Sequence, residues 1–275
     1  DNVKMAWGRS VLLWMVDRWR DSYTSSADYS HGWFIPLVSL VALWMNRKPL
    51  MEAPKSRSWS GLAVVALALV IHWVGARAQQ PRISLFSLVL LLWGLPYFFG
   101  GWSVARLLVF PCGYLLLCIP LNFLDSLTFP LRMLATSMSV GLLNGIGIPV
   151  QRSGSAIFSS MGHGFSLDVA DPCSGIRSII ALTAMTGAYA YFTQKELWKK
   201  WVMFFIAVPL AIMGNIGRIV TIALAAQLFG QEAAMKWYHD LSGYIVFFVA
   251  VTLMMATASL INMNLPEIWK KWKND

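Results

Sequence analysis

This chain has little charge. Only 13% of its 275 residues are Asp, Glu, Lys or Arg, about half the share of an ordinary soluble domain, which excludes a surface designed mainly for water. Cysteine is scarcer still. Cys112, Cys118 and Cys173 form no paired framework and no metal-ligand spacing, so neither a disulfide scaffold nor a Cys/His metal centre is expected. Cys112 and Cys118 stand inside an apolar stretch and read as core thiols. Lys and Arg exceed Asp and Glu by 9, but the excess sits in short loops beside apolar runs, where it marks a membrane side rather than a nucleic-acid surface. Arg9 and Asp17 break the only apolar run near the start, so no signal-peptide pattern is read there. The halves show no inverted symmetry of the kind that transporters carry.

Apolar residues are abundant. They make up 57% of the chain, with 14 Trp, 15 Phe and 14 Met, and several runs approach the roughly 20 residues that cross a bilayer. The expected fold is an all-α polytopic membrane protein of about 7–8 transmembrane helices, one integral membrane domain over 1–275. Met5–Val16 is too short for a confident span, so residues 1–30 read as an interfacial or truncated N-terminal segment. Trp33–Met45 leads to Arg47, Lys48, Lys55 and Arg57, which are expected in the cytoplasm. Gly61–Val74, Ile83–Phe99 and Val104–Ile119 follow as spans, the last two joined by a tight turn at Gly100–Gly101. This order leaves Arg77 and Arg82 outside, against the charge rule.

The C-terminal part orients itself through Lys195, Lys199, Lys200, Lys270, Lys271 and Lys273, all expected inside. Ile176–Phe192 then runs inward, Trp201–Ile222 outward and Tyr244–Ile261 inward. Residues 121–172 must begin and end outside. Leu124–Leu143, interrupted by Asp125, Pro130 and Arg132, is therefore predicted to lie along the outer membrane surface. Ala156–Phe158 and Phe165–Val169 flank a Gly-rich turn and predict a β-hairpin, set as a small outer cap because open strands cannot face lipid.

Cys173, Arg218 and His239 thus fall on one membrane face. Asp171–Ser178, a polar knot opening an apolar run, carries the thiol. A helix N-terminus and nearby cations such as Arg177 lower a thiol's pKa toward the thiolate, and His239 could act as base and then acid. Arg218 could hold an oxyanion, since a charge within an apolar run normally faces a partner or cavity. Each has a plainer reading: Cys173 as filler, Pro172–Gly175 as a helix start, Arg218 as an interfacial anchor, His239 with Asp240 as a helix cap. His72 reads as a core histidine, and His31 and His163 are rival bases. A transporter or channel passing anions by Arg218, and a non-catalytic scaffold for polysaccharide export, are the alternative functions.

The ordered set Cys173–Ser178, Asn215–Arg218 and His239 with Gly243, preceded by Tyr29–Gly32, resembles the exosortase/archaeosortase family of membrane cysteine transpeptidases over residues 28–262. One departure from it is Asp171–Pro172. The resemblance implies a multi-pass enzyme of the inner (plasma) membrane with its site on the extracytoplasmic face. Its partners would be the lipid bilayer and the C-terminal sorting-signal region (PEP-CTERM-like) of exported, membrane-tethered proteins. It would use no cofactor, metal or nucleic acid. Residues 173–262 would be the catalytic helices, with Cys173 as nucleophile, Arg218 as oxyanion stabiliser and His239 as general acid/base. Arg177, Asn215, Ser174, His31 and Asp240 would support them or bind substrate, and an acceptor nucleophile would resolve the thioester.

Overall fold

The computed structural model describes residues 10–20, 29–120, 123–159, 164–168, 176–234, 236 and 239–263. The described chain is mostly helical with one small sheet, and it divides into two compact units, residues 1–124 and 125–275. Among the described residues three helices are long and apolar enough to cross a membrane, Trp59–Arg77, Pro81–Cys118 and Leu197–Phe229; His31–Met45 and Phe247–Asn262 are shorter apolar helices.

The first unit holds α1 (Val11–Arg20), a 3-10 turn (Ser30–Trp33), α2 (Phe34–Met45), α3 (Arg47–Glu52), α4 (Trp59–Arg77) and α5 (Pro81–Tyr114). Helix α4 is built inside-out relative to a soluble helix. It buries Gly61, Ala68 and Gly75 and exposes Leu62, Leu67, Leu69, Val70 and Trp73. Small residues every seventh position let two backbones approach, which is how helices associate where lipid removes any hydrophobic drive. A Cβ on Gly61 would stand 2.5 Å from the backbone nitrogen of Phe98. His72 belongs to the outward side of α4, with Ser87 Oγ 3.4 Å from its Nδ1. The expected core histidine is thus exposed, because hydropathy cannot tell which side of an all-apolar helix meets protein.

Helix α5 folds back on itself at Gly101, whose φ of 72° is left-handed. The Trp93 indole N–H donates to the Ala105 carbonyl at 2.9 Å, whereas twelve residues of straight helix would separate them by about 18 Å. The turn expected at Gly100–Gly101 is therefore present as a break between two helical arms. Gly101 is required there: besides its φ, a Cβ would lie 2.7 Å from Ser56 Oγ. The second arm is tied to α2, where Ser39 donates to the Pro111 carbonyl and Asn46 Nδ2 donates to Leu107 O at 3.3 Å. It ends at Cys118, buried as expected, whose carbonyl accepts from the Trp19 indole at 2.9 Å.

The second unit holds α6 (Phe123–Gly145), β1 (Gln151–Ser153), β2 (Ala156–Ser159), β3 (Phe165–Asp168), α7 (Ile176–Thr193), α8 (Leu197–Phe229) and α9 (His239–Asn262). The expected hairpin is β2–β3, antiparallel with Ile157 opposite Leu167, and β1 adds a third strand in the order β1-β2-β3. Asn144 closes the entry to the sheet with both ends of its amide: Oδ1 accepts from Val150 N at 2.8 Å and Nδ2 donates to Val150 O at 3.2 Å. Helix α6 buries Ala135, Thr136, Ser139 and Leu143 and leaves Leu134, Met138 and Leu142 exposed. The two buried hydroxyls donate to carbonyls one turn back, Arg132 O and Ala135 O, so their burial leaves no donor unmet.

Helix α8 is the spine of this unit. Its N-terminal half, through Met203, Ala207, Leu210 and Ala211, shares a core with Leu182 and Ala190 of α7 and Ala250, Met254 and Ala258 of α9. Its C-terminal half, from Ile216 to Ala226, shares another with α6 and with Ile157, Phe165 and Leu167 of the sheet. Replacing Gly101 by Ala should destabilise the chain by about 1–3 kcal/mol, the cost of a forced left-handed residue. Gly113→Ala, where a Cβ meets nothing within 4 Å, should be near neutral, and thermal unfolding midpoints in detergent compare the two.

Candidate active site

The candidate residues of the second unit are organised by the direction of its helices. Only residues 194–196 join α7 to α8, too short a link for anything but antiparallel packing. Lys200 Nζ lies 4.9 Å from the ring centroid of Tyr191 near the end of α7. Helix α9 also runs against α8, because Lys199 Nζ donates to Asn262 Oδ1 at 3.3 Å. At this end of α8 the lysines gather with Trp198, Trp201, Phe204 and Phe205, the last three in mutual ring contact. Basic and aromatic residues together are the composition of a membrane–water boundary.

The opposite half of α8 carries Asn215 and Arg218. Both α7 and α9 begin toward the half of α8 that holds Arg218. Arg218 is half-buried, and Asn215, one turn earlier on a neighbouring part of the same face, is 7% exposed. Three residues along a helix turn the side chain back to nearly the same direction, so the pair faces one region. Thr221 ties its hydroxyl to the Gly217 and Arg218 carbonyls at 2.9 and 3.0 Å. Arg177 is the second residue of α7, and His239 and Asp240 are the first two of α9. Cys173 and Ser174 lie outside the described residues, a few positions before α7 begins, as does His163. His31 belongs to the first unit, in the 3-10 turn, with its ring 5.7 Å from that of Tyr29.

Two features of this end carried little sequence signal. One is an apolar groove of about 550 Å³ between α8 and α9, with Gly214, Gly217 and Thr221 among its lining on α8 and Ile245, Val249 and Leu253 on α9. A Cβ at Gly217 would meet nothing within 4 Å, so the groove owes part of its depth to that glycine. Small residues at this spacing were a readable hint, but the facing residues of α9 were not. The other is Gln231, just beyond α8, whose Oε1 accepts from the Ser166 backbone N–H of β3 at 3.0 Å. An exposed glutamine 65 positions from its partner has no local signature. Chemically, this half of α8 offers a cation and an amide within one turn of each other.

A family model described as transmembrane exosortase matches residues 19–256, which takes in most of both units. No curated protein matches the chain, and no solved structure does. The antiparallel arrangement is checkable directly: cysteines placed at Lys199 and Asn262 should be joined by a short bifunctional thiol reagent in native membranes. A pair at Lys199 and Tyr244 should not be joined.

Proposed function

Because the chain belongs to the transmembrane exosortase family, we propose that it is a membrane-embedded cysteine transpeptidase that cuts C-terminal sorting signals from exported, membrane-tethered proteins. The observation that carries the reading is the antiparallel set α7–α8–α9, which favours a common location for the segment leading into α7, for Arg218 and for the start of α9.

An extracytoplasmic site in the inner membrane is read from the lysines at the start of α8, which mark the cytoplasmic side, and the length of α8 fits that frame. Its 33 residues extend about 50 Å, against a hydrocarbon core of roughly 30 Å. The rise from Lys200 to Arg218 is about 27 Å. With the lysines at the cytoplasmic border, Arg218 meets the outer border and the last turns of α8 stand outside with the sheet. In this frame α6 lies along the outer surface, its exposed Leu134, Met138 and Leu142 toward lipid, and the whole chain crosses the membrane seven or eight times.

The Cys173 thiolate attacks the scissile carbonyl, and the oxygen that becomes negative is held by Arg218. His239 gives its proton to the leaving amine as the tetrahedral species collapses to a thioester. The acceptor nucleophile then loses its proton to His239, attacks the thioester and releases the thiolate. Arg177 and the start of α7 favour that thiolate. Ser174, Asn215 and Asp240 position these groups or the substrate.

Co-expression with a tethered reporter ending in Pro-Glu-Pro, an apolar helix and a basic cluster tests the assignment. Cys173→Ala should abolish processing. Arg218→Ala should slow it by about 10²–10³-fold, the usual loss for an oxyanion donor, and His239→Ala by roughly 10²–10⁴-fold. A membrane-impermeant maleimide should label Cys173 from outside at pH 7 faster than a thiol of ordinary pKa, about 8.5. Unchanged processing in all three variants would refute the assignment.

A further inference from the structure

β3 stands at one end of the order β1-β2-β3, and among the described residues only β2 pairs with it. Edge strands present unpaired N–H and C=O groups on their outer side. Ser166, opposite Phe158 in the register, shows which groups these are. Its N–H points away from β2 and donates to Gln231 Oε1 at 3.0 Å. A glutamine side chain ends in a peptide-like amide. Its oxygen at ladder distance from an edge N–H stands where the carbonyl of one more strand would stand.

The edge is also held firmly and in a useful place. Phe165 and Leu167, on the other side of the pleat from Ser166, are 4% and 6% exposed and lie in the same core as Ile216, Ile219 and Ile222 of α8. The strand is thereby anchored on the half of the helix that carries Arg218. β3 ends at Asp168, and Cys173 follows five residues later in the chain.

We propose that the outer edge of β3 receives the substrate's sorting segment as an added strand, and that Gln231 holds the ladder position until the substrate displaces it. This rests on the peptide-cleaving reading and extends it by naming the recognition mode, main-chain β-augmentation. The occupant is an extended peptide, because only extended backbone offers alternate carbonyls and N–H groups at the ladder spacing. The strand precedes Cys173 by only a few residues of chain, and side-chain preferences are left to neighbouring surfaces.

The experiment uses membranes holding the full chain and the tethered Pro-Glu-Pro reporter. Ser166→Pro removes the outward N–H, at a position where an edge strand tolerates proline, and Ser166→Ala controls for the lost hydroxyl. The proline variant should lower kcat/KM by about tenfold, chiefly through KM, with Cys173 labelling unchanged and Ser166→Ala close to wild type. Gln231→Ala vacates the position and should lower KM by about threefold at constant kcat. Wild-type kinetics in Ser166→Pro, or a raised KM in Gln231→Ala, overturns the proposal; if Ser166→Pro fails to accumulate, the KM of Gln231→Ala decides. Normal processing by Cys173→Ala, or a reporter left uncut by the wild type, instead overturns the peptidase reading on which the proposal stands.

Discussion

Ala207, Leu210 and Ala211 of α8 lie against Leu182 of α7 and Ala250 of α9, and the geometry of the second unit depends on that seam. Alanines at the contact allow close approach of three helices without large interdigitating side chains. Because both neighbours run against α8, the seam separates two ends of different chemistry. One gathers Lys199, Lys200, Trp198 and Tyr191; the other holds Asn215, Arg218 and the beginnings of α7 and α9. The same helix then continues beyond the seam to supply the floor of the sheet through Ile219, Ile222 and Ala226. One element thus carries the membrane-type packing, the candidate cation and the platform for β3.

The first unit reaches close packing by another route. Gly61, Ala68 and Gly75 of α4 bring it against the first arm of α5, and large side chains such as Trp73 are turned outward. Among lipid tails there is little to gain by hiding leucine, so small residues mark the interface and large ones the exterior. One carbonyl freed at the break in α5 finds a partner across the unit: Phe98 O accepts from Ser58 N at 3.0 Å.

Much of this was legible in the residues. Hydropathy located every long helix, and Gly100–Gly101 marked the break in α5 because no other residue suits its backbone. The extended pieces Ala156–Phe158 and Phe165–Val169 about a Gly-rich turn marked the hairpin, whose second strand ends at Asp168. The misses have physical reasons. β1 is Gln-Arg-Ser, fully exposed, so it carries no apolar alternation. α8 was expected to stop at Ile222 yet continues to Phe229, because hydropathy measures a bilayer's thickness, whereas Ala-Leu-Ala-Ala-Gln-Leu-Phe simply remains good helix. Of the candidate site, the relation of Asn215 to Arg218 follows from helical spacing, and the start of α9 at His239 agrees with its reading as a helix opening. The lysines alone suggest the depth relation among α7, α8 and α9; the structure shows the antiparallel packing of the three helices. The amide of Gln231 against β3 has no counterpart in sequence, since a contact between distant, solvent-facing residues leaves no pattern.

The central claim is that the Cys173 sulfur forms a covalent bond to the cleaved substrate. The direct measurement is mass spectrometry of the enzyme trapped during turnover of the tethered reporter, without and with hydroxylamine, which splits thioesters. The account predicts an adduct on the peptide containing Cys173 that carries the carbonyl side of the cut and disappears with hydroxylamine. Continued processing with the label on another residue, or with no hydroxylamine-sensitive adduct at all, would contradict it.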